Sequence, residues 1–73
     1  MTVNKVARDM VKEASSLGDK HARVLRDKWE LRAEHYSDLA EETEDVVQSR
    51  DYEKMGKVYG KAFELMKEGE RRG

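Results

Sequence analysis

Apolar residues return every three or four positions along nearly the whole 73-residue chain, and no proline interrupts them. That spacing matches the 3.6-residue turn of an α-helix, and proline is the residue least tolerated inside one. Good helix formers (Ala, Glu, Lys, Arg, Leu and Met) dominate, while β-branched residues are scattered. The sequence therefore predicts an all-α fold. The expected architecture is a three-helix or helical-hairpin bundle with a long central helix, completed by oligomerisation.

Three segments carry the pattern. Val3, Val6, Ala7, Met10, Val11, Ala14 and Leu17 line one side of a first helix over about residues 4–17, with Asn4 as its cap. Ser15 to Asp19 reads as a stop and restart, with Gly18 in the left-handed conformation and Asp19 accepting from the next helix's amides. A continuous helix through Gly18 is the competing possibility, because Ala14, Leu17, His21 and Val24 keep the spacing. A second helix over residues 20–48 forms the spine, with a seam of Leu25, Trp29, Arg32, Tyr36, Leu39, Thr43 and Val46. A shorter strip of Val24, Leu31 and His35 lies beside that seam and calls for a second neighbour. Ser49, Arg50 and Asp51 then break the pattern. A third helix over residues 51–69 starts a new seam at Tyr52, Met55, Tyr59, Ala62 and Met66, widened by Val58, Leu65 and Phe63.

A domain this small hides a smaller share of its surface than a larger one can. The chain has 20 large apolar side chains besides Met1, and no cysteine to form a disulfide or bind a metal. Self-association is the remaining common remedy, and Val58, Leu65, Phe63, Val24 and Leu31 are its expected contacts. Gly56 and Gly60 join them as a Gly-x-x-x-Gly pair that lets a second backbone approach closely, the alternative being local softness in the helix. No apolar run approaches the length of a signal-peptide core or a membrane span. Together with the missing cysteine, this leads to the expectation of a soluble, cytoplasmic protein.

Charge is plentiful and unevenly placed. Charged residues make up 42% of the chain, for a net charge of −1. Residues 20–33 carry +3 and residues 34–49 carry −6, so the expected spine is bipolar in the sense that opposes its helix dipole. Lys54, Lys57 and Lys61, folding back past Glu44, Glu41 and Asp38, are one expected compensation. An antiparallel copy of the spine is another, and solvated charged faces are the ordinary alternative.

Arg32 stands in the seam between Trp29 and Tyr36, where a buried guanidinium needs a carboxylate, a ring face or an anion. With Trp29, Tyr36 and Lys28 it makes a candidate site for an anionic small molecule or nucleotide; pairing with a neighbouring helix, or reaching out at an edge, is the structural alternative. Glu41, Glu42, Glu44 and Asp45 form Glu-x-x-Glu and Glu-x-x-Asp pairs, spacings that put two carboxylates on one helical face and suit Mg²⁺. This cluster resembles the all-α nucleotide pyrophosphohydrolases, in which acidic pairs on adjacent helices chelate magnesium. The resemblance covers about a dozen residues, and the third helix has no second acidic pair at matching spacing. A solvated acidic face is the plainer expectation, so no metal or other cofactor is assigned.

His21 and His35 are too far apart along a helix to share a metal, and no nucleophile, phosphate loop or zinc-finger spacing is present. Lys20, Arg23, Arg26, Lys28 and Arg32 are basic, but the neighbouring acidic run repels phosphate, so specific DNA or RNA binding is not expected. The polar faces lack the Lys and Arg enrichment of membrane-surface helices. The sequence thus predicts a non-enzymatic, self-associating interaction or regulatory protein, whose partners are itself and another protein.

Overall fold

The computed structural model describes residues 2–72, with side chains described for residues 2–69. It is an all-α three-helix bundle: α1 spans Val3–Ser16, α2 Asp19–Glu42 and α3 Val46–Arg72. α3 packs against both other helices, whereas α1 and α2 share few contacts. The longest helix and the hub is therefore α3, with 27 residues, not α2 with 24.

Both chain reversals follow from local chemistry. The chain breaks at Gly18, where φ is 101° and ψ is 159°. That is not the left-handed helical well but a region essentially reserved for glycine. The Leu17 amide donates to Ala14 O at 3.1 Å and the Gly18 amide to Ser15 O at 3.3 Å, tightening the last turn of α1. Asp19 does not cap: it is the first residue of α2, which starts without a side-chain cap. Nor does Asn4 cap α1. Thr2 does, its Oγ1 accepting from the Lys5 amide at 3.3 Å.

The second reversal lies at Thr43–Asp45, not at Ser49–Asp51, so a helix over 20–48 does not form. Asp45 Oδ1 accepts from the amides of Val47 at 2.9 Å and Gln48 at 3.2 Å, satisfying two donors at the start of α3. Thr43 is extended, with ψ at 138°, and its Oγ1 accepts from the Asp45 amide. Ser49 serves the other helix: its hydroxyl donates to Ala40 O at 3.0 Å, a carbonyl that the end of α2 leaves open. Val46, expected in a buried seam, is 66% exposed in the first turn of α3.

The core is thin. Among the described residues its buried members are Ala7, Ala14, Ala22, Ala62, Trp29 and Met66, so four of these six are alanines. Small side chains at heptad spacing, such as Ala7 with Ala14, let helices approach closely but remove little apolar area from water. The bundle measures 42 × 23 × 18 Å. Its radius of gyration is 13.0 Å, against about 11 Å for a compact domain of this length.

Candidate functional site

The α2/α3 hairpin brings the aromatic residues together. Tyr36 lies between Tyr52 and Tyr59, with ring centroids 6.0 and 5.8 Å away and near-parallel planes for Tyr59. His35 tilts against Tyr36 at 6.0 Å. Arg32 rests its guanidinium 5.8 Å from the centre of the Tyr59 ring. Tyr59 therefore supplies, through its π face, the partner that an arginine at this position needs.

The residues of the expected anion site sit at different depths. Trp29 is in the core at 7% exposure, Arg32 is exposed at the rim on Tyr59, and Lys28 faces solvent. A groove of about 720 Å³ does open where α1, α2 and α3 meet, but its polar lining is Ser15, Asp19, Arg23 and Arg26. Arg26 is engaged, making an ion pair with Asp27 at 3.1 Å. Sequence reasoning missed this groove, because it arises from the sparse contact between α1 and α2.

The acidic residues are also placed differently. With α2 ending at Glu42, the pairs Glu41/Glu44 and Glu42/Asp45 do not share a helical face, and the Asp45 carboxylate is spent on capping. Among the described residues, no three acidic or imidazole groups converge as a metal site would need. His21 and His35 are both exposed.

The position of the turn sets the register of the hairpin. A Cβ built on Gly56 meets Ala33 O at 3.5 Å and Tyr36 Cβ at 3.6 Å, Tyr52 stacks on Tyr36, and Ser49 reaches Ala40. Residue numbers on facing levels of α2 and α3 thus add to about 89. Lys57 is level with Arg32 and Lys61 with Lys28, so these two lysines return past the basic half of α2, while Lys54 is level with residue 35. Among the described residues, Lys54, Lys57 and Lys61 make no ion pair with Glu44, Glu41 or Asp38. The turn end of the rod gathers eight carboxylates between residues 34 and 54 against only Arg50 and Lys54. The bipolar layout is therefore a property of the whole hairpin.

The expected contact residues separate into two groups. Phe63 and Leu65 pack on the protein's own core, with Lys67 Nζ 5.2 Å from the Phe63 ring centre, and Val58 is half-buried. Gly56 serves the α2/α3 contact within one chain, while Gly60 has nothing within 4 Å of a built Cβ. Within one copy, therefore, only Gly56 of the two lies against another helix. Val24 and Leu31, in contrast, are 51% and 66% exposed on the outer side of α2. Leu17, at the turn before α2, is also exposed.

No family model, curated protein or solved structure matches the chain. Among the described residues, no helix is long and apolar enough to cross a membrane.

Proposed function

We propose that this chain is a small helical protein-interaction protein, an adaptor, inhibitor or regulator, that works by self-association and by covering part of another protein's surface. One observation carries the reading: apolar side chains that one copy leaves in water. The chain exposes 5756 Å², whereas a compact monomer of this mass exposes about 4,700 Å². The surplus, roughly 1,000 Å², is close to one partner's share of a standard protein interface, about 800 Å². Val24 and Leu31 on α2 and Val46 and Val47 at the start of α3 are all more than half exposed. Scattered single apolar residues need no explanation, but a row spaced by heptads along one helix matches how helices recognise one another. A cytoplasmic setting accords with the lack of cysteine.

Sedimentation equilibrium of the wild-type chain beside a Val24→Ser/Leu31→Ser double variant tests the proposal. Reversible association of the wild type at micromolar concentration, lost or strongly weakened in the double variant, is the expected result. A wild-type chain of monomer mass at every concentration would remove self-association from the reading.

A further inference from the structure

The proposed function leaves open which surface meets which, and two independent features of α2 narrow the answer. The first is the apolar row. Val24 and Leu31 are seven residues apart and so project from the same side of the helix. The second is the charge beside that row. Lys20, Asp27 and Glu34 follow one flank at the same seven-residue interval, with Asp38 a turn further on. That flank is basic at its amino end and acidic towards the carboxyl end. By the register above, α3 sets Lys57, Lys61 and Lys67 with Glu64 and Glu68 beside residues 20–33, and Arg50 and Lys54 with Asp51 and Glu53 beside residues 34–43, and among the described residues no ion pair joins α3 to this flank.

We propose, building on the self-associating reading above, that the outer face of α2 pairs with the same face of a second copy running antiparallel, Val24 of each copy packing on Leu31 of the other. In this register Lys20 of one copy lies level with residue 35 of the second, between its Glu34 and Asp38, and two-fold symmetry repeats the contact. Asp27, next to the two-fold axis and already paired with Arg26 in its own chain, is the one position of this flank that meets its own counterpart. A parallel pair would set Lys20 against Lys20 and Glu34 against Glu34, and would align the two acidic turn ends. Like charges at such positions are destabilising, so the charge layout selects the antiparallel arrangement. The acidic end of each rod then lies beside the basic half of its neighbour. Glutamates and aspartates near the carboxyl end of α2, unfavourable for its own dipole, gain cationic neighbours.

The absence of native cysteine makes the test direct. Chains carrying Val24→Cys and Leu31→Cys, distinguished by a size tag, are oxidised separately and as a mixture. The antiparallel face predicts a mixed 24–31 disulfide as the main product. Each single variant alone should cross-link poorly, because position 24 is about 10 Å along the axis from its own copy, beyond the ~7 Å Cα limit for a disulfide. Efficient Val24→Cys homodimers would overturn the orientation. A chain that associates by mass but gives no 24–31 product would overturn the face while leaving self-association intact. A monomeric chain would overturn both. Charge reversal gives a second reading on a surface that tolerates substitution. Lys20→Glu, and separately Glu34→Lys/Asp38→Lys, should each weaken the dimer by roughly tenfold. Combining all three should restore it, and failure of that rescue counts against the pairing.

Discussion

Two rows on α2, each spaced by seven residues, meet opposite environments. Ala22, Trp29 and Tyr36 run down the inner side, where the first two are buried and the third is sandwiched between two tyrosines of α3. Val24 and Leu31 run down the outer side at more than half exposure. The rows do not differ in hydrophobicity enough to explain this; Val and Leu are as apolar as anything on the inner side. The difference lies in the number of helices available. α3 takes the inner side of α2, while α1, only 14 residues long, packs mainly on α3. Three helices cannot cover every apolar row of this chain, and the uncovered one is the natural place for a further helix.

The sharpest way to break this contrast is to remove the largest buried side chain on α2. Trp29→Ala should cost about 3–5 kcal/mol, enough to unfold so thin a core, as read by loss of cooperative melting in circular dichroism. Next comes the turn that sets which side of α2 faces inward. Gly18→Ala forces a side chain into backbone angles that L-residues avoid, and should cost about 1–3 kcal/mol in chemical denaturation. Asp45→Ala, which removes the cap that starts α3, should cost about 1 kcal/mol by the same assay. Gly60→Ala acts in the other direction. With open space around its Cβ, the substitution should stabilise the helix by about 0.5–1 kcal/mol. The smallest effect belongs to the outer row: Leu31→Ser should change the unfolding free energy of dilute, dissociated protein by no more than about 0.5 kcal/mol. A large loss there would mean that the outer row already serves the single copy.

Much of the fold could be read from the chain. The helical class, the break at Gly18 and the inward side of Trp29 and Tyr36 follow from periodicity and one glycine. The second turn did not. Asp45 with Gln48 three residues on is a capping signature at the start of a helix, but Val46 also fitted the apolar spacing of α2, and the longer pattern prevailed. That shift of six residues changed the register of the hairpin, and with it every expected contact between the lysines of α3 and the acids of α2. The core also differs in kind from a seam of large apolar side chains, because alanines fill most of its buried positions among the described residues. The need of Arg32 for a partner follows from its place in the seam, but the ring that meets it, Tyr59, is set by a register that spacing within α2 alone does not contain.

On the proposed function, folding and association are coupled, because one copy leaves Val24 and Leu31 in water. Thermal unfolding followed over a hundredfold range of protein concentration tests it most directly. The expected midpoint rises with concentration, by on the order of 5–10 °C across that range, as mass action requires of an associating native state. A cooperative transition whose midpoint does not move with concentration would contradict it.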